Sequence, residues 1–188
     1  LTLNEGGDTL PYTISLLSQP TYSVTVDIFS DGQTMMTPTA VTFLTNTWDI
    51  PQAVLVTAVN DDFYEGEHQS NIGHTSSSAD PSFDHIAINS LPVTIHDDDT
   101  AAVVVNPSSL TVIEGGTGSS YLLNLSSRPL QPVTVTITNT GQISSSLTTV
   151  AFDDSNWDVP QGVTVTAVAD SEIEGDHEAT LFHSSVSE

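Results

Sequence analysis

Trp48 and Trp157 sit in nearly the same phrase, Asn46-Thr47-Trp48-Asp49-Ile50-Pro51-Gln52 and Asn156-Trp157-Asp158-Val159-Pro160-Gln161, 109 residues apart. The same offset pairs Glu5-Gly6-Gly7 with Glu114-Gly115-Gly116, Tyr12 with Tyr121, Gly32-Gln33 with Gly141-Gln142, and Phe43 with Phe152. It continues through Val56-Thr57-Ala58-Val59 and Val165-Thr166-Ala167-Val168, Glu65-Gly66 and Glu174-Gly175, His68 and His177, and His74 and His183, without a gap. A fixed period of this kind means one structural unit used twice, so any fold must accommodate two copies of about a hundred residues each.

Within each copy the apolar residues alternate with polar ones in short runs separated by turn residues. Tyr12, Ile14 and Leu16 form one such run; Val24, Val26 and Ile28 another. Val41 and Phe43, then Val54, Val56 and Ala58, and finally Val93 and Ile95 follow. Copy two repeats the pattern at Tyr121, Leu123 and Leu125, at Val133, Val135 and Ile137, and at Val163, Val165 and Ala167. Thr and Val dominate, and Pro20, Pro51, Pro92 and Pro107 fall where strand edges tolerate a missing N–H. No segment has helical periodicity. The expected fold is all-β: tandem immunoglobulin-like β-sandwiches, module one over residues 1–99 and module two over 100–188. The few residues of Asp97-Asp98-Asp99-Thr100-Ala101 form the linker.

Charge narrows the function. The chain carries 24 Asp and Glu against one basic residue, Arg128, for a formal net charge of −23. Such a surface excludes nucleic-acid binding, which needs a basic footprint, and argues against anionic membranes. With no cysteine there is neither a disulfide, a thiolate zinc site nor a cysteine nucleophile. No apolar run is long enough to span a bilayer, so no direct membrane insertion is expected.

Several phrases together resemble Calx-β modules: Val112-Ile113-Glu114-Gly115-Gly116, Val41-Thr42-Phe43, Asp61-Asp62-x-x-Glu65-Gly66-Glu67 and the triplet Asp97-Asp98-Asp99. Asn156-Trp157-x-x-Pro160-Gln161-x-Val163-x-Val165-x-Ala167 and Ser78-Ala79-Asp80-Pro81-Ser82-Phe83 are similar to the Calx-β-like repeats of large secreted and surface proteins. The resemblance implies immunoglobulin-like sandwiches in adhesion, matrix or regulatory arrays, several of which bind calcium at one end. The sequence departs from the calcium-binding relatives at Thr37-Pro38-Thr39-Ala40, where those carry an acidic-aromatic pair, and leaves open whether Asp31 substitutes.

The acidic clusters of copy one, Glu5; Asp61 and Asp62; Glu65 with Glu67; and Asp97, Asp98 and Asp99, all lie in loops or at strand ends that a sandwich gathers at one pole. Calcium takes six to eight oxygens, which clustered carboxylates supply. Like charges about 4 Å apart repel by ~1 kcal/mol in water and ~4 kcal/mol at an effective dielectric of 20, so a cation among them stabilises the fold. The plainer alternative is a solvated linker and ordinary turn residues. Copy two retains Glu114, Asp170, Glu172, Glu174 and Asp176 but has no second Asp triplet.

The recurring histidines invite a zinc reading. With no second His or Cys at metal-ligand spacing, the sequence favours hydrogen-bonded structural histidines. The tryptophans are expected to cap a sandwich edge rather than to stack on sugars. Catalysis finds no support, since no Gly-x-Ser-x-Gly elbow or phosphate loop occurs. Asn124-Leu125-Ser126 is an N-linked glycosylation pattern, and the abundant Ser and Thr suit a glycan carrier.

The resulting expectation is a non-enzymatic structural segment of an extracellular or cell-surface fibre, adhesin stalk or matrix array, with calcium as a stiffening ion. Its expected partners are neighbouring modules and glycans. The alternatives are a module binding a glycan or protein, and an accessory domain of a secreted enzyme. Nothing matching Ala102-Val103-Val104-Val105 precedes Leu1, and copy two has no partner for Leu91-Pro92-Val93-Thr94-Ile95. Module one is therefore expected to lack its first strand and module two its last. A longer chain, or self-assembly into filaments by strand addition, supplies them in this reading.

Overall fold

A computed structural model describes every residue except Asp8, Glu174 and Glu188. Among the described residues the chain is all-β, with no helix, and it divides into two compact units. The first comprises Leu1–Asp61 and Glu65–Asp98; the second comprises Asp62–Tyr64 and Asp99–Glu188.

The first unit holds β1 (Thr2–Asn4), β2 (Leu10–Ile14), β3 (Val24–Phe29), β4 (Thr34–Thr37), β5 (Ala40–Phe43), β6 (Gln52–Ala58), β7 (His68–Ser78) and β8 (Leu91–His96). One sheet runs β1-β8-β7-β3-β5 and the other β2-β6-β4. Period-two alternation turns one face of each sheet inward: Val24, Val26 and Ile28 of β3 are buried, while Asp27 and Phe29 face out. Both sheets feed one core, with Val24, Phe43, Val54, Val56, Ile72, Val93 and Ile95 at 0% exposure. Burying each such side chain is worth about 1.5–3 kcal/mol, so this shared core is what holds the sheets face to face.

The second unit holds β9 (Val103–Asn106), β10 (Ser119–Leu125), β11 (Val133–Asn139), β12 (Ile143–Ser145), β13 (Thr149–Phe152), β14 (Gln161–Ala167) and β15 (Leu181–Ser187). Its sheets run β12-β14-β10-β9 and β13-β11-β15 around a core led by Tyr121, Leu123, Val135, Phe152 and Val163.

Each unit carries the same bond between its two sheets. Tyr12 on β2 meets His74 on β7 (Oη to Nε2 2.9 Å, rings edge-on), and Tyr121 on β10 meets His183 on β15 at 2.8 Å. The units differ at three strands: among the described residues β1 and β8 have no counterpart in the second unit, and β9, which pairs with β10, has none in the first. In the first, β8 lies between β7 and β1, antiparallel to β7 (Ile72 opposite Leu91) and parallel to β1 (Leu3 opposite Ile95). In the second, β15 pairs with β11, no strand among the described residues takes the place of β8, and Leu110, Val112, Ala179 and Leu181 border an open cavity of about 1330 Å³.

Candidate metal centre

The ends of β1 and β8 and the start of β7 lie together at one pole of the first unit. β1 runs into Glu5, whose backbone N–H continues the ladder to His96 O at 2.9 Å. Gly6 then turns the chain at φ +60°, in the left-handed region that glycine enters without strain. A side chain there has no room: a Cβ would stand 2.9 Å from Asn60 Oδ1 and 3.1 Å from Asp98 Oδ2. From β8, Asp97 folds back so that its Oδ2 accepts the backbone N–H groups of Glu65 and Gly66, both at 2.6 Å. Glu65 in turn accepts the Gln33 side-chain amide at 3.0 and 3.1 Å.

Two sets of ligating groups result, each with one atom per residue within 4.8 Å of the others, and Glu5 belongs to both. Glu5, Asp97 and Asp98 form an oxygen-only set; Glu5, Glu65 and His68 form a mixed one. Glu5 is the unusual member. It is 4% exposed, and neither carboxylate oxygen has a well-formed hydrogen bond, although the Asp61 backbone N–H is directed at the carboxylate. Burial pushes its pKa up; the Asp61 backbone pulls it down by less, and the charges of Asp61, Asp97 and Glu65 push it further up. A buried carboxylate among carboxylates is an arrangement that a bound cation relieves.

The structure thus brings Glu5, Glu65, Asp97 and Asp98 into these sets, and sets Asp61 close enough to Glu5 to act on its charge. Asp62 and Asp99 belong to the second unit, where Asp62 O accepts the Arg128 backbone N–H at 2.6 Å. Asp31 does not join: its carboxylate accepts the Ser70 hydroxyl at 2.7 Å and the Asn71 N–H at 3.1 Å, and these bonds, led by that of Ser70, hold its pKa down. Asn124 is half-buried in β10, and its Nδ2, the atom a glycan would occupy, donates to Leu125 O at 2.8 Å.

His68 is the residue that sequence reasoning passed over. Its signal was the Glu65-x-x-His68 spacing, matched by Glu174 and His177, rather than a second His or Cys. In the second unit Glu114 is exposed, as are Glu172 and Asp176, and among the described residues no three ligating groups converge there. Glu174 lies outside the described residues. The tryptophans are half-buried; Trp157 packs on the second core, and its carbonyl accepts the Leu125 N–H at 2.8 Å.

No protein-family model matches the chain, and no curated protein matches its sequence. Among solved structures it is similar to one from the CsuC–CsuE chaperone–tip adhesion subunit pre-assembly complex of the archaic chaperone-usher Csu pili of Acinetobacter baumannii. The identity is 7%, the TM-score 0.37, and 97% of this chain and 93% of that one are covered. It is also similar to the calcium-binding domain CBD12 of CALX1.1, at 13% identity and a TM-score of 0.39, over 90% of this chain and 73% of that one. At these scores neither likeness carries a function across.

Proposed function

We propose that the chain is a structural pair of immunoglobulin-like modules from an extracellular or cell-surface array, and that calcium binds at the pole formed by Glu5, Asp97 and Asp98. The observation that carries the reading is Glu5, a carboxylate 4% exposed, without a well-formed hydrogen bond and facing other carboxylates. In a chain with one basic residue, at position 128, no cationic side chain of this unit other than a protonated His is available to neutralise it. The oxygen-only set is hard-ligand chemistry, and bidentate carboxylates with water complete six to eight ligands. Calcium there ties the ends of β1 and β8 together. Asp97 already holds the loop before β7 through two backbone bonds, so the ion fixes that loop as well. Stiffening of this kind suits a spacer or stalk rather than a catalyst, and extracellular calcium is abundant enough to fill a weak site.

With Kd near ~10⁻⁴ M, as for extracellular modules, a hundredfold excess of calcium adds about 2.7 kcal/mol to the first unit. That is a rise in Tm of about 10–20 °C for a domain of roughly a hundred residues. Calorimetric scans with calcium and with a chelator are expected to show this rise for the native sequence and its loss in Asp98→Asn. Superimposable scans would remove calcium from the account.

A further inference from the structure

We propose that the same pole holds a second, chemically distinct cation position, formed by Glu5, Glu65 and His68, which takes a divalent transition metal of the zinc type. The proposal rests on the pole being a metal centre, but not on calcium being its ion. His68 carries the argument. Its Nδ1 lies 2.9 Å from Gly66 O, and a carbonyl can only accept, so Nδ1 holds the proton. Nε2 is left as the ring atom that faces the carboxylates, and a metal ion there takes the place of any proton on it. That atom is buried, has no hydrogen-bond partner, and stands 3.5 Å from Glu65 Oε2. Two ligand atoms bound to one zinc at ~2.1 Å in tetrahedral geometry are about 3.4 Å apart, so the observed separation is that of neighbouring ligands.

The supporting contacts are those of a ligand sphere. A backbone carbonyl on the far ring nitrogen fixes the tautomer, as it does for metal-bound histidines generally, and the Gln33 amide orients Glu65. The third ligand is Glu5, 4% exposed with neither oxygen in a well-formed hydrogen bond. An imidazole in the set selects against calcium and magnesium, which prefer all-oxygen shells, and toward zinc and its neighbours. A water or a second carboxylate oxygen completes four ligands.

Zinc chloride titrated calorimetrically into the tag-free, metal-stripped 188-residue chain tests this, with cobalt(II) as the optical probe of nitrogen–oxygen coordination. The expected result is one pole site per chain with its cobalt d–d bands. Affinity should fall at least about tenfold in His68→Ala, with no change in His177→Ala. Asp98→Asn is expected to keep zinc while losing the calcium-dependent rise in Tm, and His68→Ala to do the reverse. Zinc affinity unaltered by His68→Ala, or no zinc site in a chain whose calcium response shows it folded, overturns the proposal. Zinc binding without a calcium response overturns the calcium reading and leaves this one standing.

Discussion

Glu5 shows most directly how a single buried charge can be both a cost and a device. Its oxygens lie away from water, with the charges of Asp61, Asp97 and Glu65 adding repulsion. Repulsion per neighbour lies between ~1 and ~4 kcal/mol at 4 Å, depending on local screening. Glu5→Gln is therefore expected to stabilise the metal-free protein, on the order of 1 kcal/mol, and to abolish the calcium response. Urea melts with and without chelator read both effects. The pH dependence has a definite sign. A carboxyl whose folded pKa is raised above 4.5 holds its proton more tightly when folded. Its penalty is fully present above that folded pKa and disappears as pH falls through it. The metal-free native chain should accordingly gain on Glu5→Gln at pH 7 and lose that advantage on acidification through the same window. A difference that is flat with pH would mean that Glu5 is not charged in the folded state.

Among the strands, β2 and β7 of the first unit and β10 and β15 of the second share a Tyr–His contact that joins opposite sheets. Burial holds the pKa of both His74 and His183 below 6.5. Their contribution is thus fully present above about pH 6.5 and is lost as pH falls through the folded values. His74→Gln is expected to cost about 1 kcal/mol at pH 7.5, the worth of one hydrogen bond. That cost should shrink at pH 5, where the native imidazole is paying to stay neutral; denaturant melts at the two pH values decide it.

A second strand-level device sits on the outer face of the same sheets. Phe29 on β3 lies opposite Gly73 on β7, and a Cβ at Gly73 would stand 2.4 Å from the Phe29 ring. In the second unit the sizes are exchanged, with Thr138 on β11 opposite Phe182 on β15. An aromatic ring lying over a cross-strand glycine covers backbone that would otherwise be bare. Phe29→Thr and Gly73→Phe are each expected to destabilise the first unit by about 1 kcal/mol. The double change, which copies the second unit's pair, should recover most of the loss. Additive losses would show that the two positions are not coupled.

For the molecule as a whole, the two units should differ in stability because only one has its β8 position filled. β7 pairs with β8 over residues 68–72 and with β3 over residues 73–78, whereas in the second unit the ladder to β11 covers residues 181–187 and residues 177–180, the counterparts of 68–71, lie outside any strand. Hydrogen exchange is expected to be slow at the amides of residues 68–72 that face β8 and faster at residues 177–180. Equal protection of residues 68–72 and 177–180 would mean that this edge of the second unit is covered in solution. Calcium should slow exchange in the first unit alone, since the carboxylate sets lie there.

The inward alternation of β3, β5, β6 and β8 was legible in the sequence because Val, Ile and Phe at period two declare a half-buried strand whatever surrounds it. So were the repeat and the placing of acids in loops. β7 was not legible as a continuous strand, because its buried face is carried by Ser70, Ile72 and Ser76, and small polar residues announce burial only once partners are known. Those partners are Asp31, which takes the Ser70 hydroxyl, and the Ile86 N–H, which bonds Ser76 Oγ. The site divides in the same way. That Glu5 and Glu65 belong to loops, and Asp97 to the end of a strand, follows from turn chemistry and alternation. That Glu5 is buried, that His68 stands within ligand distance of it, and that Asp62 and Asp99 belong with the other unit depend on the packing of segments sixty to ninety residues apart in sequence. Glu5 and Glu114 make the point within one chain. Both stand in the same Glu-Gly-Gly motif, yet Glu5 is 4% exposed and Glu114 is open to solvent. The local sequence determined the motif and its turn. Only the tertiary structure decided the burial, because β1 is a strand by virtue of pairing with β8, and residues 112–114 have no such strand beside them.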